Sequence, residues 1–308
     1  MPIHLDPLSR RRFVGNSLTL SLAGLTDWRA QAAETSSWAL LADTHIVAAT
    51  EPQEIRGINM AKHLKQVVKE LLAESDSLSG VIINGDCALD DGQPGDYAAL
   101  AEILLPVVES GLPVHFTLGN HDDRVTFYET YHALSELSPV ESKHCSVIET
   151  PQADWILLDT LNIVDEVEGK LGETQLNWLD EHLAAMKGKH AIIVGHHYPQ
   201  VFRTDVIPSD EEIKISGLLD SKPFLELISR HSNATAYIFG HSHKWGVDTD
   251  EAGIHQINLP PTAYVFDKAQ PSGWVKATVS TKSFFLELRS LDPEHPKHGE
   301  THELAFRS

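Results

Sequence analysis

The chain has 308 residues, with 24 Lys and Arg against 44 Asp and Glu, a formal net charge of −20. Hydrophobic residues make up 42%, enough for a full core, which excludes disorder for the bulk of the chain. The acidic excess argues against a nucleic-acid binder and against a coat on anionic membranes, and two cysteines exclude a disulfide scaffold and a four-cysteine zinc module.

At the N-terminus, Ser9-Arg10-Arg11-Arg12-Phe13-Val14 sets a twin arginine before a modestly apolar run, Val14 to Leu25. Gly15, Ser17, Thr19, Ser21 and Gly24 make that run too short and too polar to span a bilayer. Ala30-Gln31-Ala32 then offers small residues for cleavage. The order of features resembles a twin-arginine export signal over residues 1–32, which predicts a periplasmic or extracytoplasmic location and a folded domain over 33–308. The alternative is a basic amphipathic helix of the domain itself. Export would permit a disulfide between Cys87 and Cys145; two buried, unpaired thiols are the other reading. After residue 33 no run predicts a transmembrane anchor.

Further along, Trp38–Ala42 reads as a buried strand ending at Asp43. Ile58, Ala61, Leu64, Val67, Val68, Leu71 and Leu72 recur at helical spacing. Val81–Ile83 is a short strand ending at Gly85-Asp86. Tyr97 to Glu109 is helical in pattern, with Pro106 expected to kink or end it. Val114–Leu118 is a strand ending at Gly119, and Val147-Ile148 and Trp155–Leu158 read as paired strands. Leu176, Leu179, Leu183 and Met186 mark a helix that Thr174 would cap. Strand Ala191–Val194 ends at Gly195, helix Pro223–His231 follows, and strand Ala236–Phe239 ends at Gly240. Strands near Ile254–Leu259, Val275–Val279 and Phe284–Arg289 close the pattern, as a second sheet or an antiparallel extension. Alternating strand and helix without a linker implies one α/β domain with helices outside the sheet.

Five strand ends carry the chemistry: Asp43-Thr44-His45, Gly85-Asp86, Gly119-Asn120-His121-Asp122, Gly195-His196-His197-Tyr198-Pro199 and Gly240-His241-Ser242-His243. Sites in α/β sheets lie at the carboxyl ends of strands, so these groups should converge. Asp with His suits a borderline divalent transition metal, where an all-oxygen set would suit calcium or magnesium. Asp86 can bridge two cations, and Asn120 can supply an amide oxygen. Two such ions can clamp both oxygens of an in-line phosphoryl displacement.

The run of Asp-x-His, Gly-Asp, Gly-Asn-His-Asp, a later His, then Gly-His-x-His resembles the calcineurin-like metallophosphoesterase superfamily. The resemblance implies a four-layer αββα sandwich of two mixed β-sheets, with a binuclear metal site at the strand carboxyl ends. It implies Asp43, His45, Asp86 and His243 on one ion, and Asp86, Asn120, His197 and His241 on the other, the ions being Fe, Mn, Zn or Co. His197 is preferred to His196 because His197-Tyr198-Pro199 fits the His-x-Pro spacing of related enzymes. His121 matches the histidine that protonates or polarises the leaving oxygen, with a metal-bridging hydroxide as nucleophile.

Gly92-Gln93-Pro94-Gly95-Asp96-Tyr97, Gly119 to Arg124, Gln175 to Leu179 and Ser272 to Val275 resemble the cyclic-nucleotide and glycerophosphodiester phosphodiesterase branch. Cys87-Ala88-Leu89-Asp90 is one residue longer than that branch's pattern. No tyrosine follows Gly85-Asp86 where purple acid phosphatases use one. The expected activity is an exported phosphodiesterase acting on a small phosphate ester, with no nucleic acid as a stable partner. A phosphomonoesterase on the same site and an inactive metal- or phosphate-binding protein are the alternatives. Asp90, Asp91 and Asp122 could hold ligand histidines or simply turn loops. Arg124 is expected in a salt bridge at a helix start, Cys87 as an inert buried thiol, and His63, His132, His144, His182, His190 and His231 at the surface.

Overall fold

A computed structural model describes residues 35–48, 54–131, 138–186, 188–199 and 216–307. The expected export signal over 1–32, and His132, lie outside the described residues. The chain runs β1 (Ser36–Ala42), a hairpin of β2 (Glu54–Ile55) and β3 (Ile58–Asn59), α1 (Met60–Ala73), β4 (Gly80–Asn84), α2 (Pro94–Glu109), β5 (Val114–Thr117) and α3 (Arg124–Thr130). It continues through β6 (Ser146–Ile148), β7 (Ala153–Leu157), α4 (Glu173–Ala185), β8 (His190–Val194), α5 (Ser221–Arg230) and β9 (Ala234–Phe239). The last elements are β10 (Gly246–Thr249), β11 (His255–Asn258), β12 (Gly273–Val279), β13 (Ser283–Ser290) and β14 (Thr301–Ala305).

Two six-stranded sheets form, in the orders β14-β13-β12-β1-β4-β5 and β10-β11-β9-β8-β7-β6. Both are mixed: β1, β4 and β5 are parallel, as are β7, β8, β9 and β11, while β12 joins β1 antiparallel. The final strands β12–β14 thus extend the first sheet. Side chains alternate across each strand. Leu40 and Ile82 therefore face Trp155, Ile192 and Ile238 between the sheets. Leu41 and Ile83 pack outward on Leu64 and Val67 of α1, Leu100 of α2 and Phe127 of α3. Ile156 and Ile193 pack outward on Leu179 of α4 and Phe224 of α5. Three apolar interfaces make the four-layer αββα sandwich.

Helix α1 starts at Asn59, whose side-chain oxygen accepts the Lys62 N–H, satisfying one free amide of the first turn. Helix α2 runs through Pro106 to Glu109. Pro106 is exposed and in the last turn, and the carbonyl it leaves unpaired belongs to exposed Glu102, open to water. Helix α4 begins after Gly172, with φ at 82°, so Thr174 lies inside the first turn and does not cap it. No helix among the described residues is long and apolar enough to cross a membrane. Cys87 and Cys145 are buried free thiols.

Candidate metal centre

The parallel ladder of β1 and β4 continues beyond both strands. Asp43 N–H donates to Gly85 O (3.2 Å), His45 N–H to Asp86 O (2.9 Å) and Ile46 N–H to Cys87 O (2.9 Å). From the other side, Ala263 N–H donates to Asp43 O at 3.0 Å. Asp43, His45, Asp86, His241 and His243 all have left-handed backbones, with φ of 52, 44, 45, 64 and 53°. Such a conformation costs a non-glycine residue on the order of 1–3 kcal/mol, and the flanking sheets hold it in place. The glycines serve close approach, and Gly85 is left-handed as well, with φ of 70°. A Cβ on Gly119 would lie 2.1 Å from Asp86 Oδ1, and one on Gly85 would lie 2.4 Å from His196 Nδ1.

Asp43, His45 and His243 form one buried cluster, with ligand-type atoms within 4.8 Å of one another. Nδ1 of His45 donates to Leu89 O (3.2 Å), and Nδ1 of His243 donates to Tyr264 O (2.6 Å). A neutral imidazole has one N–H, so both Nε2 atoms carry bare lone pairs. They face each other at 3.1 Å. Burial pushes His45 down to about 3 and His243 to about 4, so a proton does not fill the gap near neutral pH. Burial also pushes Asp43 up to about 7, against the pull of His196.

Asp86, His196 and His241 form the second cluster. His196 Nδ1 donates to Asn84 O (3.0 Å), turning Nε2 to within 3.1 Å of Asp86 Oδ2. His241 is held the other way round: its Nε2 donates to Ser216 O (2.8 Å), which leaves Nδ1 bare. Burial pushes His241 down to about 4. Asn120 Oδ1 is buried with no hydrogen-bond donor among the described residues. Burial would raise Asp86, but the facing His196 holds it well below the carboxylate range. Burial would lower His196, but Asp86 lifts it to about 9. Asp86 Oδ2 also lies 3.7 Å from His45 Nε2, so one oxygen faces both clusters. The bare, buried nitrogens of His45, His241 and His243, two carboxylates and an unpartnered amide oxygen fit a pair of divalent cations, which need deprotonated donors and would displace the proton that Asp86 holds on His196.

His121 stands at the edge, with a side chain 25% exposed. Its N–H donates to Asp86 Oδ1 (3.0 Å), its Nδ1 donates to Asp90 O (2.6 Å), and Asp165 Oδ1 lies 3.5 Å from Nδ1. The long Cys87–Asp90 loop thus supplies the carbonyls that orient His45 and His121. Asp122 ties this loop to the next. It accepts from Cys87 N (3.2 Å), Ala88 N (3.1 Å), Gly119 N (2.9 Å) and the Tyr97 hydroxyl (3.1 Å). Burial nevertheless pushes it up to about 6. Asp91 accepts from Gln93 Nε2 (2.8 Å) within its own turn. Burial and Asp122 push the Cys87 thiol well up, which fits an inert core residue.

Of the expected site residues, the structure brings together Asp43, His45, Asp86, Asn120, His121, His241 and His243. It does not bring in His197; His196 takes that place. Ile192 and Val194 of β8 point between the sheets, while Ala191 and Ile193 point to the outer helices. The ladder with β9 continues through Gly195 N–H to Ile238 O and Gly240 N–H to His196 O, so the alternation persists. His196 therefore faces Asp86. His197 faces outward, where Thr160 Oγ1 meets its Nδ1 at 2.8 Å and its ring leans on His241. His144 is not at the surface either: it is buried between Tyr128 and Phe116. Arg124 does open α3 in an ion pair, gripping Asp159 at 2.6 and 2.8 Å. The end of β7, carrying Asp159, Thr160 and Asp165, was not foreseen; the strand-end rule applied to Trp155–Leu158 points to it.

A family model described as calcineurin-like phosphoesterase matches residues 38–245, a span that contains both clusters. A probable cyclic nucleotide phosphodiesterase of Rhodococcus erythropolis is 28% identical, over 74% of this chain and 71% of that protein. A 3',5'-cyclic adenosine monophosphate phosphodiesterase of Haemophilus influenzae is 26% identical, over 76% and 82%. Among solved structures, a dimetal phosphatase from Danio rerio superposes with a TM-score of 0.66 at 16% identity, covering 88% of this chain and 99% of that one, a likeness of fold.

Proposed function

The chain belongs to the calcineurin-like phosphoesterase family and is a metallophosphoesterase, a hydrolase of phosphoester bonds; from this we propose that it cleaves a small phosphodiester, foremost a nucleoside 3',5'-cyclic phosphate. The relatives named for cyclic nucleotides support the diester. The observation that carries the site is Asp86, with Oδ2 facing both clusters and Oδ1 tied to the His121 backbone.

In this reading Asp43, His45, Asp86 and His243 would hold one divalent ion, and Asp86, Asn120, His196 and His241 the other. The donor set suits Fe, Mn, Zn or Co. When bound, the pair supplies positive charge to the phosphoryl oxygens and a nucleophilic water. His121 keeps its Nδ1 hydrogen on Asp90 O, which leaves Nε2 to deliver a proton to the leaving oxygen. Hydrolysis breaks the bond between phosphorus and that oxygen; water supplies the hydroxyl to phosphorus. Asp165 Oδ1 stands 3.5 Å from that same His121 Nδ1.

The test is turnover of cyclic AMP, bis(4-nitrophenyl) phosphate and 4-nitrophenyl phosphate by manganese-loaded protein. Diester preference, lost in Asp86→Ala and reduced at least 100-fold in His121→Ala, is expected. Monoester preference would make the protein a phosphomonoesterase, and loaded protein inert toward all three would defeat the enzymatic reading.

Export through a twin-arginine route belongs to the same proposal, supported by Arg10 to Arg12, the apolar run and Ala30-Gln31-Ala32. A reporter fused to residues 1–35 should leave the cytoplasm, and should stay inside when Arg10 and Arg11 become Lys. Export unaffected by those changes counts against it.

A further inference from the structure

Phe266 is the exposed large side chain that stacks on the metal centre. Among the exposed apolar residues of the described chain, which include Leu105, Val125, Ile163, Leu219 and Phe285, Phe266 has a ring stacked on a candidate ligand. The residue is 53% exposed, and its ring sits 4.4 Å from the His243 ring, centroid to centroid, at an interplanar angle of 23°. Tyr264, two residues earlier, stacks on His45 at 5.3 Å and 29°, and its carbonyl holds His243. This strand-to-strand loop therefore builds an aromatic wall along the first cluster, ending in a ring open to solvent.

A cation reaches the same ring from a different element. Arg56 and Gly57, with φ of 54 and 79°, form the tip of the β2–β3 hairpin. The Arg56 guanidinium lies 5.0 Å from the Phe266 centroid, and among the described residues this ring, not a carboxylate, is its partner. Arg56 is exposed on a long, flexible stem, so it can leave the ring without breaking an ion pair among the described residues. A hydrated phenyl ring covered by a displaceable planar cation suits a planar π-system, because a nucleobase stacks on aromatic rings and under guanidinium planes alike.

We propose that Phe266 and Arg56 form the base subsite of this enzyme: the nucleobase of a nucleoside phosphate takes the guanidinium's place on Phe266, and Arg56 closes over its outer face. This rests on the phosphodiesterase reading, and makes Phe266 a specificity-determining residue rather than a support for His243.

The test compares kcat/KM for cyclic AMP with that for the 3',5'-cyclic phosphate of methyl riboside, which lacks the base, using manganese-loaded protein. Phe266→Leu keeps apolar bulk on His243 and should lower the ratio roughly tenfold, through KM, since stacking contributes about 5- to 150-fold per base. Phe266→Trp should keep the ratio. Arg56→Asn, a residue that tolerates the left-handed turn, should lower it several-fold. Equal losses on both substrates in Phe266→Leu would reduce the ring to a support for His243 and overturn the subsite. Calorimetric affinity for adenosine 5'-monophosphate separates this from failure of the diester reading. Wild-type protein that hydrolyses neither diester defeats that reading; the subsite still stands if Phe266→Leu weakens the monophosphate about tenfold, and falls if it does not.

Discussion

The Nε2 atoms of His45 and His243 face each other at 3.1 Å from positions 198 residues apart in the chain. Each ring has its single N–H on a carbonyl, of Leu89 and of Tyr264, so neither has a hydrogen to share. Two lone pairs at that separation repel. The fold imposes the contact where the loops after β1 and β9 meet, and a divalent cation held by both nitrogens would relieve the repulsion.

Removing divalent metal should therefore destabilise the protein. A site filled at 100 times its Kd stabilises by about 2.7 kcal/mol, and a domain of this size shifts by about 2–4 °C per kcal/mol. Calorimetry should show the unfolding temperature fall by about 5–10 °C with chelator and recover with manganese. His243→Ala should recover much less. A full recovery in that variant would place the stabilising ion elsewhere.

Gly119→Ala should lower turnover about 100-fold while the protein stays folded. Gly119 has no left-handed φ, so alanine is not strained by its backbone. Its Cβ would lie 2.1 Å from Asp86 Oδ1 and 2.5 Å from the Asp86 backbone nitrogen, so the residue whose carboxylate faces both clusters must move, main chain included. Displacement of about 1 Å costs about 100-fold in rate. Metal stoichiometry should drop with kcat in the purified variant, while circular dichroism stays native; normal kcat would show that Asp86 has room to adjust.

The strand-end motifs made most of this centre legible, because glycine or aspartate after a short apolar run marks where a buried strand stops and its loop begins. His196 was legible too, by a different rule. The His-x-Pro spacing favoured His197, but alternation along β8 carries Val194 and His196 to the inter-sheet side and Ile193 to the helices. Strand parity decides which of two adjacent residues can reach a partner sheet. Other features lacked a local signal. Helix α3 has seven residues, too few for a visible period, and is held by Phe127 in the core. Strand β14 reads Thr301-His302-Glu303-Leu304-Ala305 and is a strand because β13 offers an edge, with Leu304 as its inward residue. Phe266 is invisible to motif reading because its place depends on a ring 23 residues earlier and a hairpin from the other end of the chain.

Tyr97→Phe should slow the enzyme without touching a metal ligand. The hydroxyl donates to Asp122 Oδ1 (3.1 Å) and accepts from Asp123 N–H (2.8 Å), fixing the loop that carries Asn120 and His121. Losing it leaves the part-buried Asp123 amide without this acceptor, at the low end of the cost of about 1–3 kcal/mol for an unsatisfied buried group. Partners at this remove typically change activity or metal affinity by about 10- to 100-fold. A roughly tenfold fall in kcat with KM little changed is expected from steady-state kinetics. Lower stability with unchanged kcat would confine Tyr97 to the fold.

His144 should give the protein an acid-side loss of stability that has nothing to do with metal. Its Nε2 donates to Phe116 O (3.1 Å), so its Nδ1 must accept from the Tyr128 hydroxyl (2.6 Å). The neutral ring satisfies both bonds, and protonation would set an N–H against the hydroxyl's own hydrogen. Burial pushes His144 down to about 4. An unfolded histidine binds its proton near pH 6.5, so between about 6.5 and 4 the unfolded chain holds more protons than the folded one. Stability then falls as pH drops through that window, by roughly 3 kcal/mol in total, and is unaffected above pH 7. His144→Gln lacks the titration but keeps a donor and an acceptor. Its urea midpoint should lie below wild type at pH 7.5 and approach it by pH 4.5. Two curves that stay parallel across the range would show that the buried imidazole is not the group that senses acid.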